Sequence, residues 1–161
     1  MKDIQKIIVL FLITFSMGAE WVAISDSQPS RFKAQSLSSN IDRSEVVFEL
    51  EGYILTPIET PWGTQYKIET EGGSSIMESG YPDLDQTFAS VIVPDDAMMK
   101  LEVTSSSYIE IENIEVAPSK GNLSRMISPS DVPFSKEAIY NQDQFYPGKL
   151  ADLRDPYILR D

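Results

Sequence analysis

Of the side chains that can do chemistry, this 161-residue chain has carboxylates, hydroxyls, Lys and Arg, but neither Cys nor His. Thiolate nucleophiles, Cys-His and Ser-His pairs, and the commonest zinc, haem and iron-sulfur ligand sets all need one of those two residues. None can be assembled here, and a disulfide framework is excluded as well. What remains is acid-base work by paired carboxylates, oxygen ligation of calcium, and recognition by charge. No carboxylate pair is nominated for glycosidase-type chemistry. Asp83/Asp85 and Asp95/Asp96 offer oxygen ligands but match no organised calcium loop, so solvated turns are expected there. Recognition has a better candidate in the long polar stretch between Val116 and Ser135, which carries Lys120 and Arg125. Loops of that length in compact domains tend to be functional. A planar guanidinium can pair two-pronged with a carboxylate at the base of a pocket. Without such a partner Arg125 is a solvated loop residue, and Lys120, beside flexible Gly121, is the competing probe.

The surrounding elements set where that loop can sit. With 42% hydrophobic and 24% charged residues, the chain has the composition of one globular domain rather than a disordered segment. A net charge of −12 repels nucleic acid and anionic membrane surfaces. Acidity then serves solubility, or steers the chain toward a basic partner surface. Residues 1–25 have the pattern of a secretory signal: Lys2 and Lys6, an apolar run from Ile7 to Met17, and small residues at Ser16, Gly18, Ala19, Ala23 and Ser25. That run is shorter than the roughly 20 residues a membrane span needs, so no permanent anchor is expected. Residues 26–44 read as a flexible, Ser-rich lead-in, and the domain is placed at 45–161.

Within the domain, short alternating segments predict strands. Glu45 to Leu55 and Thr64 to Thr70 form a hairpin or neighbouring strands, with Pro57 and Pro61-Trp62-Gly63 breaking the chain between them. Thr87 to Val93, Met98 to Ser105 and Tyr108 to Val116 predict three more. Lys136 to Gln142 is the one candidate helix. The pattern predicts an all-β fold, an antiparallel β-sandwich.

The tail sharpens this outline. Pro118-Ser119-Lys120-Gly121, then Arg125, Pro133, Tyr140, Phe145-Tyr146-Pro147-Gly148 and Asp155-Pro156-Tyr157-Ile158-Leu159-Arg160-Asp161 follow a recognisable order and spacing. Gly52-Tyr53, Gly80-Tyr81-Pro82-Asp83-Leu84 and Ile92-Val93-Pro94 add weaker matches. Together, from Val46 to Asp161, these residues resemble the propeptide of gingipain-type (family C25) secreted cysteine peptidases. Tyr81 and Asp85 depart from the Lys and the second Pro of that pattern.

The resemblance implies a jelly-roll-like sandwich. It also implies a loop that reaches into the catalytic cleft of a gingipain-like cysteine peptidase, in cis or in trans, as latency inhibitor and folding aid. Arg125 falls where a substrate-mimicking basic residue is expected, flanked by Leu123, Ser124 and Met126, with Lys120 nearby. Pro118, Pro129 and Pro133 restrict the loop. Arg125 and Arg160 are the candidate maturation cuts, and a cut at Arg125 is expected to weaken binding. The family pattern runs on past Asp161, so the chain is either a fragment lacking its last strands or a stand-alone propeptide-like protein. No cofactor is implied, and the compartment implied is periplasmic or extracellular. The alternative reading is an exported adhesion or carbohydrate-binding sandwich using Trp62 and Pro61. Phe145-Tyr146-Pro147-Gly148 reads most simply as a turn with its aromatics on the core.

Overall fold

In the computed structural model, which describes residues 18–24, 32–40, 42–94 and 97–157, the regular structure is almost entirely antiparallel β, with two single-turn 3-10 helices. The fold is all-β. Its centre is a three-stranded sheet in the order β1 (Glu20–Ala23), β4 (Gly52–Thr60), β5 (Gly63–Glu69). The β4–β5 turn is built from the residues that the sequence offers for it. Pro61 and Trp62 form the tip and Gly63 takes φ +107°; the Thr60 hydroxyl donates to Gly63 O at 2.8 Å and accepts the Trp62 N–H at 3.2 Å.

Pro57 does not break the chain. It lies within β4, opposite Tyr66, beyond the Gly52–Leu55 stretch that β1 covers. There β4 has a strand on one side only, where a missing donor is tolerated.

A second hairpin joins β2 (Lys33–Ser39) to β3 (Ser44–Glu49), with an irregularity between Ser36 and Ser38. Asn40 Oδ1 closes its turn by accepting the N–H groups of Asp42 and Arg43 at 2.9 and 2.8 Å. The rings of Phe32 and Phe48 meet at 5.6 Å across it. Two-residue strands β6 (Ser74–Ser75) and β7 (Asp85–Gln86) complete the set among the described residues.

Several expectations change. Lys33–Ser39, expected within a flexible lead-in, is a paired strand: polar Ser and Gln side chains hide a segment that can stay exposed and still share backbone bonds with its neighbour. Glu45 to Leu55 is split at Leu50–Glu51, and β4 begins afresh at Gly52. The stretches 87–93, 98–105 and 108–114 form no strand; Ile92, Met98 and Tyr108 are 92%, 98% and 78% exposed. Alternation marks a face, but a strand also needs a free edge to bond to. The open edge of β5 is taken instead by Glu115–Ala117 and Asp83, through Tyr66 N–Glu115 O and Ala117 N–Tyr66 O, both 2.8 Å, and Ile68 N–Asp83 O, 3.3 Å. The candidate helix shrinks to one 3-10 turn at Ala138–Asn141. Residues 1–17 and 25, which carry most of the signal pattern, lie outside the described residues, and Glu20–Ala23 within that segment is β1.

Candidate functional site

The Val116–Ser135 loop stands on a base of three chain segments. Residues 80–83 run antiparallel to 117–119: Gly80 N to Ser119 O at 2.8 Å, Ser119 N to Tyr81 O at 2.7 Å, Asp83 N to Ala117 O at 2.8 Å. The third segment attaches through Glu137 N to Gly80 O at 2.9 Å. Ala117, Pro118 and Ser119 are buried in this base. Below them Gln65, 1% exposed, donates from its side-chain amide to Glu115 at 3.1 Å, which satisfies a polar group placed in the interior. Gly80 and Gly121 both have φ +80°, and a β-carbon there would lie 2.9 Å from Glu137 Cγ and from Ser79 Cβ respectively. Only glycine permits both the left-handed backbone and the close approach.

Aromatic side chains brace the base. Tyr140 donates its hydroxyl to Val116 O at 3.1 Å. Tyr146 stacks on Tyr81 at 5.4 Å and donates to Glu78 Oε2 at 2.9 Å. Burial, and then the charges of Asp83 and Tyr146, hold the Tyr140 phenol well above its ordinary range; burial, and then Glu78, do the same for Tyr146. The peptide Tyr146-Pro147 is cis, and Phe145, expected against the core, is 84% exposed. Of that motif's two aromatics, only Tyr146 packs.

From this base the loop rises to a tight turn. Ile127 N donates to Ser124 O at 2.9 Å, and Met126 N to Ser124 Oγ at 3.4 Å. Arg125 and Met126 are therefore the two central residues of a turn at the tip, both exposed, Met126 at 95%. Leu123 is half-buried on the ascending limb. A 3-10 turn at Pro129–Asp131 begins the return.

Lys120 is placed differently. Its ammonium donates to Pro129 O at 2.7 Å and lies 4.1 Å from the centre of the Phe134 ring. The structure thus brings Ser124, Arg125 and Met126 together at the apex and holds Lys120 inside the loop. Arg160 lies outside the described residues, as do Asp95 and Asp96.

The remaining candidates have local partners. Asp83 accepts from the Ser75 hydroxyl at 2.7 Å, and Asp85 Oδ2 accepts the Thr70 N–H at 2.9 Å. Burial pushes the Asp85 carboxyl up. No cluster of potential metal ligands forms among the described residues. Trp62 is 48% exposed, but Lys136 puts its ammonium 4.6 Å from that ring's centre and 4.9 Å from the ring of Tyr140. One face of the indole is therefore covered by a cation. Sequence reasoning missed the Lys120 and Lys136 contacts, because a charge over an aromatic ring leaves no spacing signal when the partners are 14 or 74 residues away (134 − 120; 136 − 62).

The chain has relatives among known proteins. The family model Propeptide_C25 matches residues 27–161. The chain is similar to gingipain R2 of Porphyromonas gingivalis, 32% identical over 160 residues, covering 99% of this chain and 22% of that protein. It is likewise similar to gingipain R1 of Porphyromonas gingivalis, 34% identical over 163 residues, covering 100% of this chain and 16% of that protein. It thus spans 22% or less of the length of these relatives. Among solved structures it is similar to the complex of Porphyromonas gingivalis RgpB pro- and mature domains, with a TM-score of 0.74 and 37% identity over 80% of this chain and 66% of that one.

Proposed function

This chain belongs to the C25 propeptide family, and from that premise we propose that it serves as the N-terminal propeptide of a secreted gingipain-like cysteine peptidase, keeping the enzyme latent and aiding its folding. The observation that carries this reading is the exposed Ser124–Ile127 turn, with Arg125 at its tip, raised on a hydrogen-bonded base. A chain with no Cys and no His cannot perform the peptidase's chemistry, so its contribution is to occupy the cleft. Arg125 would enter the specificity pocket and pair with a carboxylate there, Met126 would follow on the leaving-group side, and Leu123 and Ser124 would precede it. Each charge-assisted hydrogen bond made in such a pocket contributes about 1.5–3 kcal/mol.

The partner is the catalytic domain of such a peptidase, in cis or in trans, as the pairing of pro- and mature domains in the similar solved complex supports. Export is inferred from the signal pattern in residues 1–25, with the cut placed before Glu20 so that β1 stays with the domain. No described helix is long and apolar enough to cross a membrane. Maturation cuts are assigned to Arg125 and Arg160.

The test is the inhibition constant of the purified chain against an Arg-specific gingipain-type peptidase, beside its Arg125→Ala variant. A rise of about a hundredfold, or about 2.7 kcal/mol, is expected on losing the side chain. Equal inhibition by the two forms would remove Arg125 from the cleft. No inhibition by either would remove the latency role for that enzyme.

A further inference from the structure

We infer that Lys120 is a positioning residue that ties the two limbs of the Arg125 loop to each other, rather than a second basic side chain offered to the peptidase. This deepens the proposed function and rests on Arg125 being the cleft-directed side chain.

The geometry supports the assignment from three sides. The Lys120 ammonium is already engaged, 2.7 Å from Pro129 O and 4.1 Å from the Phe134 ring centre, and its side chain is only partly exposed. Pro129 opens the descending 3-10 turn, and Phe134 is half-buried next to the segment that returns to Gly80 through Glu137. Lys120 itself follows Ser119, which is buried and bonded on both sides to the 80–81 segment. One side chain therefore connects the anchored ascending limb to the descending limb and closes residues 121–128 into a ring. Inside that ring the apex has little else to hold it. Ile127 N to Ser124 O and Met126 N to Ser124 Oγ are bonds within the turn, and no bond or ion pair is seen between Arg125 and another described residue. An exposed turn with so few bonds would sample many shapes. Fixing the distance between its stems reduces the ordering cost of docking a rigid substrate-like loop.

The clamp also changes what a cut would do. If the Arg125–Met126 bond is cleaved, the new chain end at Met126 still belongs to a segment held by Lys120 at Pro129, by Glu137 N at Gly80 O, and by Tyr140 at Val116 O. A cut at Arg125 alone then leaves both limbs on the base.

The experiment uses the full chain without any partner. Amide hydrogen exchange by NMR is compared for the parent chain, Lys120→Met, which keeps the apolar stem and removes the charge, and Lys120→Arg, which keeps a cation able to donate to Pro129 O and stack on Phe134. Loss of one exposed cation–π contact and one charged hydrogen bond predicts that the Ile127 and Asp131 amides exchange roughly fivefold faster in Lys120→Met. The Tyr66, Asp83 and Ser119 amides of the base should be unchanged, and Lys120→Arg should restore the parent rates. In parallel, trypsin, a serine peptidase of a different fold from the proposed partner, should cut the Arg125–Met126 bond roughly fivefold faster in Lys120→Met by the same loss. Unchanged exchange at Ile127, or an equal rise at the base and at the apex, overturns the clamp. Should Lys120→Met fail to fold, Phe134→Leu removes the ring and tests the same split. Because these readouts need no gingipain-type enzyme, a positive clamp result with no effect of Arg125→Ala on inhibition would retain the clamp and reject the cleft reading.

Discussion

At Gly52 the space that a β-carbon would need is already taken: it would run into Trp21 Cζ2 and lie 2.6 Å from Val22 O. β1 can lie against β4 only because this position is bare, and Trp21 covers it. Gly52→Ala should therefore push Trp21 away and destabilise the fold by about 1–3 kcal/mol, the usual cost of overpacking. Gly63 gives the contrast. Its φ is +107° but nothing lies within 4 Å, so Gly63→Ala should cost only the left-handed backbone penalty of about 1–2 kcal/mol. Urea unfolding of the two variants measures both, and in a Trp62→Phe background, where Trp21 is the remaining tryptophan, the Gly52 variant alone should also change the fluorescence. At this scale the sequence was most legible where side-chain type decides: Arg125 is exposed at a tip, as a lone loop guanidinium in a polar stretch should be. Gln65 was not legible. Alternation put Tyr66 and Ile68 inward, yet Gln65 is the most buried residue of β5, because Glu115 and Thr60 supply its partners from outside the strand.

Among the elements, those held by local turn chemistry could be read in advance and those held by distant edges could not. Pro61-Trp62-Gly63 announced the β4–β5 hairpin. The segments 87–93, 98–105 and 108–114 carry the same alternation but meet no edge among the described residues, so periodicity alone overstated them. β1 and β2 were missed because a leader-like composition and a Ser-rich one masked segments whose strand character comes from β4 and β3. The elements bracing the loop also give a pH dependence. Tyr140 and Tyr146 hold their protons in the folded chain above the ordinary tyrosine value of 10.0, chiefly because of burial. The folded state thus binds more protons than the unfolded chain above that value. This stability is fully present below pH 10.0 and falls as pH rises through it and beyond. Unfolding midpoints measured from about pH 8 to 11 should drop, and the drop should flatten in Tyr140→Phe/Tyr146→Phe, which has no phenolic proton to lose at either site. An unchanged slope in the double variant would assign the loss to other groups.

For the whole molecule, backbone hydrogen bonding is unevenly shared along the chain. The β4–β5 pair and the base at 80–83, 115–119 and 137 share a continuous network of backbone bonds, whereas no backbone hydrogen bond among the described residues involves 98–114. Hydrogen exchange followed by mass spectrometry should find peptides from 98–114 labelled at close to the rate of an unstructured chain, while those from 64–69 and 115–119 are protected. Protection of 98–114 on adding a gingipain-type catalytic domain would place that stretch at an interface. Slow exchange there in the free chain would contradict the described fold.

The base under Arg125 joins residues that are far apart along the chain: Gln65 with Glu115, 50 residues on, and Glu78 with Tyr146, 68 residues on. Such long closures form slowly and late in folding, since the chain between them must be ordered before they are rewarded. During synthesis, the base beneath the Arg125 turn cannot be complete until Tyr146 has left the ribosome. A newborn chain therefore completes the base that carries the Arg125 turn as one of its last folding events.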